Sequence, residues 1–215
     1  MIRNVIFDIG NVLVSFHPVE YFYPVFKEKT ETLCTYVFGS KEWALYDQGI
    51  LTKEEVEKNL LDTYPKDKDA ILYILAHWKE FMKPIMPMKK LIEELKENGY
   101  KIFLLSNISE DSYLYLKREY PYFFDVNGGM YSYRIKRNKP DKKIYEELLS
   151  VYGINASESL FLDDRKENVD AAKALGFHGM IMEDVDVTCD RIRKRLKEAV
   201  SYTHLRAHET GAYLV

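Results

Sequence analysis

Cysteine is nearly absent. Cys34 and Cys189 are the only two in 215 residues, and their spacing suits neither a disulfide framework nor a metal cluster. Such usage fits a reducing, cytoplasmic setting. Long apolar runs are missing as well, since no stretch approaches the roughly 18 residues of a membrane span. The opening MIRNVIFD passes almost directly into a strand-like run, which is not the pattern of a signal peptide. Nor is one sign of charge in excess. Lysine and arginine number 31 against 34 acids, a net charge of -3, so nothing draws the chain electrostatically to nucleic acid or to an anionic membrane. The expectation is a soluble cytoplasmic protein with no nucleic-acid or membrane partner.

What the chain does have is apolar material. Its 47% hydrophobic residues suffice for one domain with a substantial core, or for a core carrying a modest insertion. Four short apolar runs recur: Val5-Ile6-Phe7, Ile102 to Leu105, Leu160-Phe161-Leu162 and Met180-Ile181-Met182. Unbroken runs of this kind suit strands buried on both faces of a parallel sheet. Helical periodicity separates the later ones. MKKLIEELKENG puts Met88, Leu91, Ile92 and Leu95 on one face and stops at Gly99, a C-terminal cap. DKKIYEELLSVYG repeats the pattern with Ile144, Tyr145, Leu148, Leu149 and Tyr152 before Gly153, and ENVDAAKALG ends at Gly176. Alternating strands and helices predict an α/β fold, a Rossmann-like doubly wound parallel sheet of at least four strands.

Residues 17–83 follow a different rule. They hold no comparable apolar run but are rich in helix formers and in aromatics: Tyr21, Phe22, Phe26, Trp43, Tyr46, Tyr73, Trp78 and Phe81. Thr52-Lys53-Glu54-Glu55 reads as a capping box opening a helix after Gly49. The segment is therefore expected to be a small helical cap inserted into a core made of 1–16 and 84–200, with most of the aromatics in its own core and one or two facing a ligand. Residues 201–215, SYTHLRAHETGAYLV, fit neither pattern and are expected to be disordered or foreign to the fold. His204 and His208 share a helical spacing that suits metal, but no third ligand is in view.

Ligands bind outside the carboxyl ends of the strands in an open parallel sheet. Asp8 follows the first apolar run, Ser106-Asn107 the second and Asp163-Asp164 the third. If those strands are neighbours, three carboxylates and a hydroxyl converge on one crevice. Crowded acids repel unless a cation is shared, and ligands that are all oxygen suit Mg²⁺, which completes its shell with water and substrate phosphate. Lys139, before Pro140 and the helix start at Asp141, is placed to neutralise a carboxylate and a bound phosphate together. Each residue alone has a blander reading, a strand-end aspartate as a turn cap and a lysine as a solvated side chain. The joint pattern is what points to chemistry.

These four stretches carry a resemblance. FDIGNVLV, LLSN, KPDKKIY and FLDDRKENVDAA resemble the four motifs of haloacid dehalogenase-superfamily hydrolases, and the opening DIGNVL resembles the small-phosphatase branch that includes bacterial glucose-1-phosphate phosphatases. The resemblance implies a HAD-like core with a cap after the first motif, and a Mg²⁺-dependent phosphatase acting on a small phosphorylated metabolite. It further implies Asp8 as the nucleophile that becomes an aspartyl-phosphate, and Ser106 and the backbone at Asn107 as grips on the phosphoryl group. Lys139 would balance charge, and Asn11 would join the substrate contacts. Asp8, the carbonyl of Gly10 and Asp164 would hold the metal, with Asp163 directly on it or just behind. Asn168 would tie the fourth-motif loop.

Gly10 departs from the pattern. Most phosphatases of this superfamily have a second aspartate there, which protonates the leaving oxygen and later activates water. A glycine offers only its carbonyl, and the lack of a positioned acid costs about 10²–10⁴ in rate. The expected consequence is a bias toward activated phosphates such as acyl phosphates and sugar 1-phosphates, unless another group, with His17 at the cap entrance as one candidate, supplies the proton. The alternative is an attenuated protein that binds phosphometabolites and regulates. The basic stretch RIKRN, with Arg134, Lys136 and Arg137, reads either as a funnel for anions or as a solvated loop.

Overall fold

The computed structural model describes residues 1–197. The expected tail at 201–215, with its two histidines, and the last residues of the expected 84–200 core segment lie outside the described residues. Five strands form one sheet: β1 (Asn4–Phe7), β2 (Lys101–Ser106), β3 (Gly128–Tyr131), β4 (Ser159–Asp163) and β5 (His178–Ile181). Every pairing is parallel, and the order is β3-β2-β1-β4-β5. The strand order reverses at β1, so the crevice of a doubly wound sheet opens at its carboxyl end.

Alternation along each strand divides the core into two layers. Val5, Phe7, Ile102, Leu104, Leu160 and Leu162 face one way, against α6 (Met86–Glu97), α7 (Glu110–Glu119) and the helical residues 185–197. Ile6, Phe103, Leu105 and Phe161 face the other way, onto α9 (Lys142–Tyr152) and α10 (Lys166–Ala174). The predicted helix faces hold. Met88, Leu91, Ile92 and Leu95 of α6 are buried, as are Ile144, Tyr145 and Leu148 of α9. Gly99, Gly153 and Gly176 follow their helices at positive φ, the conformation glycine adopts at no steric cost.

The edge strand β3 differs from expectation. GGMY is not among the four apolar runs of the sequence, yet it pairs with β2 from Phe103 to Ser106. Four residues that open on two glycines leave no apolar run to detect. The glycines have a packing reason: a Cβ on Gly128 would fall 2.2 Å from Tyr152 Cε1. The Tyr152 hydroxyl also closes on the strand, accepting from the Gly129 N–H at 2.8 Å and donating to the Gly129 carbonyl at 3.0 Å.

Between β1 and α6 the chain forms α1 (Pro18–Phe26), α2 (Thr30–Phe38), α3 (Lys41–Asp47), α4 (Lys53–Thr63) and α5 (Lys68–His77). The capping box opens α4: the Glu55 N–H donates to Thr52 Oγ1 at 3.2 Å and the Thr52 N–H to Glu55 Oε2 at 2.8 Å. Phe22, Trp43, Tyr46, Trp78 and Phe81 are buried and join the same apolar cluster as Phe7 and Leu104. Tyr21 and Tyr73 remain exposed. The chain entering and the chain leaving this segment are tied together, with Ser15 N–H donating to the Lys83 carbonyl and Ile85 N–H to the Leu13 carbonyl, each at 2.8 Å. Among the described residues no helix is long and apolar enough to cross a membrane.

Gly128→Ala drives a methyl group into the Tyr152 ring and breaks its clasp on β3. Overpacking of this kind costs about 1–3 kcal/mol, so the urea midpoint is expected to fall accordingly; an unchanged midpoint refutes the packing role of Gly128.

Candidate active site

Sheet register levels the functional residues. Phe7 lies beside Leu104 on one flank and Leu162 on the other, so Asp8, Ser106 and Asp163 emerge at one edge of the sheet. Beyond Asp8 the chain turns tightly: Leu13 and Val14 N–H groups donate to the Ile9 carbonyl and Asn11 N–H to that of Val14. Asn11 sits at φ 51°, a left-handed conformation that asparagine tolerates better than most residues.

Lys139 occupies the centre. Its side chain is 1% exposed, with Nζ 2.6 Å from Asp163 Oδ2 and 2.9 Å from Asp8 Oδ1, and it donates to the Leu105 carbonyl at 2.8 Å. Burial pulls the ammonium toward neutrality, but the two carboxylates together outweigh it and hold Lys139 above its ordinary pKa. Its backbone is clamped by Asn107, whose Oδ1 accepts from the Lys139 N–H at 2.7 Å while Nδ2 donates to its carbonyl at 3.0 Å. Asp163 is fully enclosed. Its oxygens accept from Lys139, from Asn168 Nδ2 at 2.9 and 3.1 Å and from the Arg165 N–H at 2.9 Å.

Asp8 is only 7% exposed. Burial pushes its carboxyl up; Lys139 opposes that and Asp163 adds to it, while Ser106 hydrogen-bonds it. The buried Oδ1 of Asp8 has the Lys139 ammonium, 2.9 Å away, as its charged partner. Burial also raises the Asp164 carboxyl, offset by the Asn11 Nδ2 bond at 3.0 Å. Single oxygens of Asp8, Asp163 and Asp164 all lie within 4.8 Å of one another. With the oxygens of Asp163 taken by Lys139, Asn168 and the Arg165 N–H, Asp8 and the more accessible Asp164 form an all-oxygen set that fits a hard divalent cation.

Two sequence expectations change. Asn11, expected among the substrate contacts, uses its amide to hold Asp164 and to accept from the Phe16 N–H at 2.7 Å; it shapes the turn. The side chain of Asn107 is committed to Lys139, while the contact expected of this residue is from its backbone. The basic side chains of RIKRN do not line the site's cavity as a funnel would; they are exposed, as the solvated reading expects, yet they make contacts. Arg134 lies over the rings of Tyr113, Tyr131 and Tyr133, Lys136 donates to the Gly49 carbonyl at 2.5 Å and Arg137 pairs with Asp141. His17 is exposed ahead of α1 and does not line the cavity described next.

These residues open onto a cavity of about 290 Å³. Asp8, Ser106, Asn107, Lys139 and Asp164 line one end, while Phe16, Phe38, Trp43, Trp78, Met82 and Leu116 form an apolar wall. One further acid lines it that the sequence reading passed over: Asp47, the last residue of α3. Its signal was present, since a carboxylate at a helix C-terminus meets the negative end of the dipole and needs a reason to be there. Burial holds the Asp47 carboxyl well above the ordinary range; a bond from the Ser109 N–H opposes this and the charge of Asp8 adds to it.

Comparison with known proteins agrees with this geometry. A family model described as haloacid dehalogenase-like hydrolase matches residues 2–176. The sesquiterpene phosphatase astK of Aspergillus oryzae is 28% identical over 193 residues, covering 89% of this chain and 95% of its own. The D-ribitol-5-phosphate phosphatase of Bacteroides thetaiotaomicron is 26% identical over 193 residues, covering 82% and 90%. The fold is shared with the HAD family enzyme bt-2542 of that bacterium in complex with magnesium and inorganic phosphate, at a TM-score of 0.65 and 22% identity over 85% of this chain and 95% of the other. Motif order, sheet order and the match over residues 2–176 converge: the chain belongs to the haloacid dehalogenase-like hydrolase family.

Proposed function

We propose that this protein is a Mg²⁺-dependent phosphatase that hydrolyses phosphate esters of small metabolites by way of a phosphoryl group carried on Asp8. The observation that carries the reading is the grouping of Asp8, Ser106, Lys139 and Asp164 at the end of one cavity. Asp8 is the nucleophile: it lines the cavity beside Ser106 and Lys139, whereas Asp163 is enclosed and its oxygens are taken by other donors. Lys139 offsets the charge of Asp8 and of the phosphate that approaches it, while Asp163 and Asn107 hold that lysine in place. Ser106, beside Asp8, gives the phosphoryl oxygens a donor. Mg²⁺, which Asp8, Asp164 and the Gly10 carbonyl would hold, supplies electrostatic stabilisation of the phosphoryl charge. The related phosphatases and the magnesium and phosphate of the bt-2542 complex support the same assignment.

The leaving group meets the apolar wall. Besides the phosphate-end residues, the polar side chains of the lining are Asn11, Asp47, Ser112, Asn138, Arg165 and Asn168, of which Asn11 and Asn168 are bound to Asp164 and Asp163. Phe16, Phe38, Trp43, Trp78, Met82 and Leu116 form one apolar wall, which suits a hydrocarbon or flat ring better than the hydroxyls of a sugar. The expectation of a sugar 1-phosphate therefore gives way to an apolar ester, in keeping with the similarity to a sesquiterpene phosphatase.

Phosphate release with Mg²⁺ from acetyl phosphate, glucose 1-phosphate and a prenyl monophosphate tests both points. Release is expected to be abolished by EDTA and by Asp8→Asn, with the prenyl ester preferred over the sugar ester in kcat/KM. Metal-independent turnover, or full activity of Asp8→Asn, contradicts the mechanism; preference for the sugar ester contradicts the apolar assignment.

Lys139→Met leaves Asp8 and Asp163 buried without their counter-charge, and breaking such a pair costs about 3–5 kcal/mol. Without the ammonium the Asp8 carboxyl, already raised by burial, titrates higher still in the folded than in the unfolded chain. The stability it contributes is then present at low pH and lost as pH rises. The deficit of the metal-free variant is therefore expected to be largest near pH 7 and to shrink toward about pH 4, read as urea midpoints of wild type and variant. A deficit independent of pH refutes the electrostatic role.

A further inference from the structure

The proposed phosphatase still needs a proton for the leaving oxygen. Glycine at position 10 is not a steric requirement, because a Cβ there would meet nothing within 4 Å. The fold therefore does not forbid an acid at that place; the sequence simply has none. Among the described residues, the titratable groups lining the cavity are Asp8, Asp47, Lys139, Asp164 and Arg165. Asp8 is assigned to attack and Asp164 to the metal. Lys139 is paired to two carboxylates, and an arginine does not give up its proton in proteins. Asp47 is left.

Asp47 is also held in place. Ser132 Oγ donates to its carbonyl at 2.5 Å and in turn accepts from the Ile108 N–H at 2.8 Å. On either side, Asn138 Nδ2 donates to the Ala44 carbonyl at 2.9 Å and Lys136 Nζ to that of Gly49 at 2.5 Å. The end of α3 is thus fastened through its backbone to the segment that follows β3, with the Asp47 carboxyl placed beside the Ser109 N–H. That fastening is the use the structure makes of the basic stretch. A catalytic side chain must be held this firmly if a proton is to reach a defined oxygen.

We propose that Asp47 is the general acid and base of this site, delivered from the cap in place of the missing aspartate at position 10. The assignment rests on the phosphatase reading. In the first step an Asp8 oxygen bonds to phosphorus, the bond from phosphorus to the ester oxygen breaks, and Asp47 gives that oxygen its proton, releasing the alcohol. In the second step Asp47, now a carboxylate, takes a proton from water as the water oxygen bonds to phosphorus. The bond from phosphorus to Asp8 breaks, phosphate leaves, and both carboxyls return to their starting state.

The environment favours the neutral carboxyl the first step needs. Burial, the nearby charge of Asp8 and the negative end of the α3 dipole all act against the carboxylate. The other charged groups around it are occupied elsewhere: Asp111 of α7 with Lys79 and the Tyr46 hydroxyl, Lys136 with Gly49, Lys139 with its two aspartates and Asp164 with Asn11.

The experiment compares wild type and Asp47→Asn, both with Mg²⁺, on phosphate esters of graded leaving group: acetyl phosphate, p-nitrophenyl phosphate and an alkyl phosphate. In kcat/KM, which reports the step up to departure of the leaving group, the variant is expected to keep the first two within a few-fold. On the alkyl ester it is expected to lose about 10²–10⁴, while the shared second step slows for all three. The alkaline fall of kcat/KM on that ester should vanish with it. An equal loss of kcat/KM on all three shows a structural role and overturns the proposal alone. No phosphate release by wild type from any ester overturns the phosphatase reading and this inference together. Infrared difference spectra of the metal-free proteins give a readout without turnover. A protonated-carboxyl band is expected at neutral pH in wild type and not in Asp47→Asn, and its absence from wild type overturns the proposal.

Discussion

A buried ammonium between two buried carboxylates is the constraint on which the rest of this structure depends. Lys139 is enclosed with Asp163 on one side and Asp8 on the other, and desolvating any one of these charges alone costs several kcal/mol. The triad is tolerable only with good geometry and with every remaining bond satisfied. Most of the neighbourhood exists to meet that demand. Asn107 clamps the lysine backbone, Leu105 accepts its third proton, and Asn168 and the Arg165 N–H fill the oxygens of Asp163. The level register of β1 with β2 and β4 brings these partners to one height.

The same arrangement explains why Asp8 differs from Asp163 although both touch one lysine. Asp163 is enclosed and saturated with donors, whereas Asp8 has fewer partners and lines the cavity. One acid is a fixed counter-charge and the other faces the open space. Asn11 makes a parallel distinction on the metal side by orienting Asp164 from within a left-handed turn.

The helical segment does more than cover the crevice. Its aromatics join the core's own apolar cluster, and Trp43 meets Trp78 edge to face with centroids 5.1 Å apart, a geometry that aromatic rings favour. The wall for the leaving group and the proposed proton donor thus come from one rigid unit. That unit is fastened to the sheet at the end of α3 through Ser132, Lys136 and Asn138.

The sequence by itself determined whatever depends on near neighbours. Apolar runs followed at once by Asp8, Ser106 or Asp163-Asp164 mark strand ends in a parallel sheet, and the faces of α6 and α9 and the capping box of α4 follow from local spacing. The chemistry of the four motifs was legible for that reason. Only the tertiary structure decided what depends on distant partners. GGMY is a strand because β2 accepts it and Tyr152 packs where its side chains would be. RIKRN fastens the cap because Gly49 lies across from it. Asn11 and Asn107 are supports because Asp164 and Lys139 reach them from 153 and 32 residues away. Asp47 becomes part of the site because the fold buries it beside the Ser109 N–H. Side-chain type states what a residue can do, but burial and the partners it meets settle what it does, and both come from packing between segments far apart in the chain.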